Sequence, residues 1–452
     1  MKIIIVGCGK VGRTLAEQLT AEKHEITIID NNPDVLQNAI HSLDVMGVVG
    51  NGARLHTQLE AGVKEADLLI AVATSDELNL LCCLIAKKAG GCQTIARVRN
   101  PEYNDEISLI KEELGLSMHI NPDRAAASEM ARIIRVPSAI KVDTFMKGRI
   151  ELLHLHIPSG SILDQMRIAD ISARFRYNVF VCAVERNNEV VIPSGRFLLR
   201  ANDKISIIVS PKDAEVFFKS IGIRSNQIRD VMLIGGSRIA YYLAQQLIRE
   251  GIGVKIIEKD MNRCKQLSEM LPQALLIHGD ATNQQILLEE GITRVDAIAN
   301  LTNLDEENIL LSLYAASKSK AKIITKVNRV TFEEVIDGMN LGSVVYPKYI
   351  TSNLILRYVR AMQNSMGSNV ETLYKIINNK VEALEFRVRE NSNIVGRPLE
   401  ELVLKENLLV GCINRKGKVF TPNGKDALMV GDTVIIVTTN SGLNDLGSIL
   451  KN

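Results

Sequence analysis

Near the N-terminus, Gly7-Cys8-Gly9-Lys10-Val11-Gly12 spaces three glycines as G-x-G-x-x-G between a short β-branched run and a helical pattern. Each glycine meets a separate physical demand. Gly7 permits a tight turn, Gly9 lets a bulky anion approach the backbone, and Gly12 lets the helix pack close to a sheet. A helix opening here offers free N–H groups and a partial positive charge, which suits phosphate. Asp30 follows 18 residues beyond Gly12, at the end of the next apolar run. A carboxylate at that point accepts hydrogen bonds from ribose hydroxyls and repels a 2′-phosphate, favouring NAD or another adenosine ribose over NADP. Glycine turns between strand and helix also occur without a ligand. The strand before this one and the acid after it favour nucleotide binding.

The pattern returns as Gly235-Gly236-Ser237-Arg238-Ile239-Ala240, followed by Glu258. Gly235 keeps the turn, Ala240 is small enough for the third position, and Glu258 preserves the acid. Ser237 replaces the middle glycine, where a side chain crowds a pyrophosphate, so this copy is expected to bind more weakly, to take a smaller nucleotide, or to be a structural relic. Other polar residues recur at strand ends, where ligands of open α/β sheets sit. Ala73-Thr74-Ser75-Asp76 follows one strand and Thr302-Asn303 its counterpart; Arg97 and Arg99 close the next, with Lys326 and Asn328 opposite. Two roles fit these positions: Thr74 beside a ribose and Arg97 on a phosphate, or helix caps and solvated strand ends.

Other chemistries are poorly supplied. The seven histidines are dispersed and none falls in a metal-ligand spacing; His154 and His156 share a strand face but fit an ordinary half-exposed pair better than a metal site. The seven cysteines include no Cys-x-x-Cys pair and read as small buried hydrophobes in a reducing compartment, Cys8 among them. No catalytic triad shows a local signature. A hydride-transfer enzyme also needs a general acid or base and a substrate domain, and the modules after each glycine loop carry no recurrent catalytic pair.

These residues need elements to hold them, and the elements come in duplicate. Asp30 matches Glu258 at an offset of 228, whereas Gly50 matches Gly279 and Asp76-Glu77-Leu78-Asn79 matches Asp305-Glu306-Glu307-Asn308 at 229. Pro193-Ser194-Gly195 matches Pro422-Asn423-Gly424, and Asp203 matches Asp432, so the unit is duplicated whole. In the first copy Ile3–Val6, Ile26–Ile29, Val45–Val49, Leu68–Val72 and Thr94–Val98 read as buried strands. Between and after them, 11–22, 34–43, 53–62, 77–89 and 102–114 carry apolar residues at helical spacing. Alternation of this kind predicts a Rossmann-like parallel sheet covered on both faces. A helix then runs to Arg135, stopped by Pro137, and the shorter strands from Ile150 to Gly222, with a turn at Asn187-Asn188 and a helix after Pro211, predict a small α+β lobe. The fold class is therefore α/β, with two Rossmann-like parallel-sheet domains each followed by a small α+β lobe. The boundaries are 1–122, a crossover helix and linker at 123–142, and 143–225, then 229–347, 348–367 (a helix near 351–363) and 368–452.

Composition removes whole classes of function. Lys and Arg number 54 against 52 Asp and Glu, a net charge of +2, which lacks the basic excess of a general nucleic-acid binder. Aromatics are 4% with no Trp, which leaves little for base stacking. Apolar runs are strand-length, far short of the about 20 residues that cross a bilayer, and no secretory leader is expected before the first strand. A soluble cytosolic protein is expected.

The duplicated order of Gly7–Gly12, Asp30, Pro193-x-Gly195 and Ala201-Asn202-Asp203 resembles the RCK (KTN) domains that regulate conductance of potassium channels and transporters. Across essentially the whole chain it is similar to a tandem-RCK regulatory subunit of a bacterial potassium uptake system. The resemblance implies a non-enzymatic, nucleotide-sensing subunit, forming a homo-oligomeric ring (from dimers or tetramers) peripheral to the inner face of the cell membrane. Its partner would be a membrane-embedded, Trk-type potassium-translocating subunit. NAD(H) is the implied cofactor, with ATP or ADP as alternative occupants. Carried over, it places Gly7–Val11 at the pyrophosphate, Asp30 at the ribose, Ala73-Thr74 beside the nucleotide and Arg97 toward a phosphate, with a second site at Gly235–Ile239, Glu258, Thr302-Asn303 and Lys326. A soluble NAD-dependent oxidoreductase is the alternative from another class; a cytosolic sensor without a membrane partner is a third reading.

Overall fold

A computed structural model of the chain describes residues 1–103, 106–107, 111–135, 141–145, 150–175, 179–187, 189–221, 228–329, 335–336, 338–339, 341–365, 370–376, 380–390, 392, 394–440, 443 and 445–451. The β-branched runs of the first 120 residues form strands because both of their faces are covered. In β1 (Lys2–Val6) the four residues after Lys2 are all buried. The elements continue as α1 (Lys10–Ala21), β2 (Glu25–Asp30), α2 (Pro33–Ser42), β3 (Met46–Val49), α3 (Leu55–Glu60), β4 (Leu68–Ala71), α4 (Asp76–Ala89), β5 (Gln93–Arg97) and β6 (Met118–Ile120). All six strands pair in parallel, in the order β3-β2-β1-β4-β5-β6. This doubly wound order puts a crevice at the carboxyl ends of β1 and β4, where the winding direction reverses.

The helix starts are chemically specified. Asn32 accepts the N–H groups of Asp34 and Val35 ahead of Pro33, and Ser75 accepts that of Leu78. In α4, Asp76 and Glu77 occupy the first turn and Lys87 and Lys88 the last, complementing the helix dipole. Two expectations need correction. The segment read as a helix over 53–62 is helical only at Leu55–Glu60, because Asn51 holds the preceding residues in a turn by accepting the Ala53 N–H. The helix expected over 102–114 is present at 103 and 106–107 but does not reach 111: residues 111–115 form turns closed by N–H bonds from Gly115 to Glu112 and from Leu116 to Lys111. Residues 104–105 and 108–110 of that segment lie outside the described residues.

After α5 (Pro122–Arg135) come β7 (Lys141–Phe145), β8 (Ile150–His156), α6 (Ile168–Phe175), β9 (Phe180–Arg186), β10 (Glu189–Val191), β11 (Lys204–Val209) and α7 (Pro211–Ser220). Their sheet is antiparallel in the order β10-β9-β11-β8-β7. Pro137 and Asn188, expected to stop a helix and to turn a hairpin, lie outside the described residues. The second copy repeats the plan with β12 (Asp230–Ile234), α8 (Arg238–Arg249), β13 (Gly253–Glu258), α9 (Met261–Met270), β14 (Leu275–His278), α10 (Gln284–Glu289), β15 (Ala297–Asn300), α11 (Asp305–Lys318), β16 (Lys322–Lys326), β17 (Ser343–Val345) and α12 (Pro347–Ser365). Its parallel order, β14-β13-β12-β15-β16-β17, matches the first sheet strand for strand. The small lobe then follows with β18 (Val370–Ile376), β19 (Val381–Arg387), β20 (Leu408–Arg415), β21 (Lys418–Phe420) and β22 (Thr433–Thr438). Here the helices of the first small lobe give way to 3₁₀ turns at Leu399–Glu401 and Leu446–Ile449.

Like lobes gather with like. One compact unit comprises Met1–Met130 with Asp230–Leu356, both parallel sheets; the other comprises Ala131–Arg229 with Arg357–Asn452, both antiparallel sheets. In the first unit, Asn121 donates to the Tyr242 hydroxyl at 2.9 Å and Gln246 to the Ser128 hydroxyl at 3.1 Å. In the second, Phe145, Leu152 and Cys182 of one sheet share a buried core with Val381, Cys412 and Val437 of the other. Among the described residues no helix is long and apolar enough to cross a membrane.

Candidate functional site

The glycine loop is shaped by collisions that only glycine avoids. Gly7 has φ +100°, and a Cβ there would lie 2.9 Å from the backbone of Ala73; one on Gly12 would lie 1.9 Å from the Gly7 carbonyl oxygen. Around Gly9 a Cβ would meet nothing within 4 Å. Gly7 and Gly12 are therefore demanded by the fold, whereas the space at Gly9 faces outward. Gly9 is also the N-cap of α1, and no side chain caps that helix, so its first N–H groups point into this space.

Asp30 reaches back from β2 to the loop. One of its carboxylate oxygens accepts the Cys8 N–H at 2.6 Å, the other the Asn32 N–H at 2.9 Å. Glu258 does the same in the second copy, accepting from Gly236 and, at 2.8 Å, from Asp260. Each oxygen retains accepting capacity after one such bond. Cys8 is buried, and burial followed by the Asp30 charge pushes its thiol pKa up, which fits packing and opposes a thiolate role. In the second copy Ser237 caps its own helix, its hydroxyl accepting the Ala240 N–H at 3.3 Å. A ligand at that end therefore meets one fewer available donor.

Ala73 and Thr302 end their strands against a buried asparagine that sequence reasoning missed. Asn79 accepts the Ala73 N–H at 2.8 Å and donates to the carbonyls of Ala73 (3.2 Å) and Arg97 (2.9 Å). Asn308 treats Thr302 and Lys326 alike, at 3.0, 3.1 and 3.0 Å. Both asparagines are fully buried, so each locks two strand ends together at the crevice. The recurrence of Asp-Glu-x-Asn was the available signal. Its Asp76 accepts from the N–H groups of Arg99 and Asn100, and Asp305 from those of Asn328 and Arg329. Ser75 is a helix cap, as one of its two readings had it, while Thr74 is exposed beside it.

Both loops open on one cleft of about 440 Å³. Gly9, Lys10, Val11, Arg97 and Arg99 line it from the first copy, and Ser237, Arg238, Ile239, Asn303, Lys326 and Asn328 from the second. The starts of the crossover helices add Asp123 and Lys348. Six of the seven charged lining residues are thus cationic in a chain of net charge +2. Arg97 donates to the Ala73 carbonyl, while its Nε is buried without a hydrogen-bond partner. Burial, then the neighbouring Arg99, lowers its pKa. Lys326 is only 4% exposed, donates to the Leu301 carbonyl at 3.3 Å, and has its pKa lowered by burial. Asp123 is held by Arg99 at 3.0 Å and by Arg238 at 3.4 Å. The cleft is built for negative charge. Among the described residues no group of His, Cys, Asp and Glu could hold a metal ion.

Comparison with known proteins bears on the family and the fold. Residues 3–122 and 231–347 match the TrkA-N domain family, and residues 154–222 and 383–451 match the TrkA-C domain family. A Trk system potassium uptake protein TrkA homolog of Archaeoglobus fulgidus is 34% identical over 96% of this chain and 97% of its own length. The Trk system potassium uptake protein TrkA of Haemophilus influenzae is 30% identical over 96% of this chain and 95% of its own. Among solved structures, the GsuK channel bound to NAD aligns with 98% of this chain and 77% of its own, at a TM-score of 0.62 and 18% identity. The crystal structure of the GsuK RCK domain aligns over 98% of this chain and 93% of its own, also at 0.62 and 18%, which shows a shared fold. With two TrkA-N and two TrkA-C domains in tandem and full-length relatives of that name, the chain belongs to the TrkA family.

Proposed function

We propose that this protein is a nucleotide-sensing regulatory subunit of a Trk-type potassium uptake system and that it does no chemistry on the nucleotide. The observation that carries the reading is the shared cleft: two glycine loops open onto one cavity lined by six cations and a single carboxylate. The free space and uncapped N–H groups at Gly9 fit a pyrophosphate, and the accepting capacity left on Asp30 fits a ribose. Gly7–Gly12 with Lys10, Ala73, Thr74 and Arg97 would hold one nucleotide; Gly235–Ile239 with Glu258, Thr302 and Asn303 would hold a second. NAD(H) is the expected occupant, with ATP or ADP meeting the same groups. A cation lining with one ion-paired carboxylate holds phosphates well and offers little for proton transfer, which favours sensing over the oxidoreductase alternative.

The nucleotide supplies charge and shape. It need only bind one arrangement of the lobes more tightly than another, and that difference in affinity limits the shift it causes. The transporting pore belongs to a separate membrane-embedded chain, and a ring of copies of this one at the cytoplasmic membrane face supplies the bistable element. The test is potassium uptake in cells lacking this protein, alongside calorimetric titration of the purified chain with NADH and ATP. Loss of uptake, with saturable binding and no turnover of NADH absorbance, is expected. Normal uptake would remove the transport role, and an absence of binding would remove the sensing role.

A further inference from the structure

Both glycine loops end in the same cavity. Gly9 caps α1 and Ser237 caps α8, and Lys10 and Arg238 are the first residues of those two helices. All four line the cleft, and both cationic side chains are exposed. The charges around them do not sort into one pocket per copy. Asp123 of the first copy is bonded both to its own Arg99, at 3.0 Å, and to Arg238 of the second, at 3.4 Å. Lys326 of the second sheet has its pKa lowered by burial and, after Asp305, feels Asp123, Arg99 and Lys10 of the first copy. Arg97 of the first sheet, lowered by burial and by Arg99, also feels Arg238. The cleft is one electrostatic basin shared by two loops.

Two groups in this basin have donors to spare. Lys326 is 4% exposed and, among the described residues, its ammonium makes one hydrogen bond, to the Leu301 carbonyl at 3.3 Å. Arg97 keeps its Nε buried without a hydrogen-bond partner. Donors buried in this way gain most from an anion lying across the cleft. Two separate nucleotides, with phosphates at Gly9 and at Ser237, would crowd two chains of like charge into about 440 Å³. A single phosphate chain running from one loop to the other meets the same cations without that repulsion. We infer that the cleft takes a dinucleoside polyphosphate, two nucleosides joined through one chain of phosphates, with one end at the first glycine loop and the other at the second. This rests on the nucleotide reading given above. It also gives the second loop a use despite Ser237, whose hydroxyl already accepts the Ala240 N–H. A weak second contact gains from being tethered to a strong first one, because its binding becomes intramolecular.

The test is calorimetric titration of the full chain with ATP, ADP and NADH and with diadenosine tri-, tetra- and pentaphosphate. One diadenosine compound per chain is expected, and the best of the series should bind at least about tenfold more tightly than ATP. Affinity should depend on the length of the phosphate chain, since a tether too short to span two sites gains nothing. Arg238→Gln should weaken the tightest diadenosine compound about fivefold, while ATP at the first loop changes less than about twofold. Two diadenosine molecules per chain, affinities no better than that of ATP, or an equal effect of Arg238→Gln on both ligands would overturn the inference. Stoichiometry and chain-length dependence are read on wild type, so the inference stands or falls even where the variant melts early. A wild-type chain that binds ATP or NADH but gains nothing from the diadenosine series overturns the bridging ligand alone. One that binds none of these compounds overturns the underlying nucleotide reading as well.

Discussion

Gly7 and Gly9 stand two residues apart, yet a methyl group would act on them through different physics. At Gly7 an alanine would combine a positive φ with contact on the Ala73 backbone, and Gly7→Ala should cost about 1–3 kcal/mol of stability. Gly9 has φ −72° and open space around its Cβ direction. Gly9→Ala should leave stability within about 1 kcal/mol, since the position is an N-cap, and still lower nucleotide affinity about tenfold by crowding the phosphates. Thermal melting and calorimetry on the two variants separate fold from binding; a Gly9→Ala chain that binds NADH and ATP as tightly as wild type would place the phosphates elsewhere. Asn79 is the reverse case, a polar residue whose duty is structural. Asn79→Ala would leave the Ala73 N–H and two carbonyls without their buried partner. A loss of about 2–3 kcal/mol is expected, read as a lower melting temperature, with Asn79→Asp giving only partial rescue because a carboxylate cannot donate to the two carbonyls.

At the scale of elements the two copies diverge where burial falls on different side chains. Lys322 opens β16 at the position held by Gln93 in β5. Burial pushes its ammonium pKa from 10.5 down to about 8. The folded chain therefore sheds a proton that the unfolded chain keeps, and stability rises with pH between about 8 and 10.5. Lys322→Met should melt higher than wild type at pH 7, and this advantage should vanish by about pH 10.5. Parallel melting-pH curves for the two proteins would contradict it. The elements legible in the sequence are those whose cause is local: β-branched runs such as Ile3–Val6, capped starts such as Asn32-Pro33 and Ser75, and the glycine loops. The three-residue strands Met118–Ile120 and Ser343–Val345 escaped because each is stabilised by a neighbouring strand rather than by its own pattern. Asn79 escaped for a related reason. A polar residue in a helical stretch reads as solvent-facing, and only the crevice shows that it is fully buried. The sequence presents Asp30 as a candidate ribose acceptor; the structure has its carboxylate holding the loop in shape through the Cys8 N–H.

At the scale of the whole molecule, duplication in sequence becomes pairing in space, which single-strand periodicity does not encode because the contacts span over a hundred residues. The Asn121–Tyr242 bond links positions 121 residues apart, and Phe145, Leu152 and Cys182 need Val381, Cys412 and Val437 to complete a core. A single copy, residues 1–229, would expose the apolar side of its antiparallel sheet and the face of its crossover helix. Apolar area of this kind drives association, and symmetric pairing of identical copies is the cheapest way to bury it. The excised half is therefore expected to form homodimers in which each copy plays the absent partner. Its paired crossover helices would bring two Asp123 residues to one cleft, in place of the Asp123 and Lys348 of the full chain. With Lys10, Arg97 and Arg99 doubled as well, the cleft keeps six cations and gains a second carboxylate, so the homodimer should bind ATP more weakly relative to ADP than the full chain does. Sedimentation of residues 1–229 tests the first step and calorimetry the second. A monodisperse folded monomer would show that the two copies do not depend on each other, and unchanged nucleotide preference in a dimer would show that the crossover helices do not set the charge of the cleft.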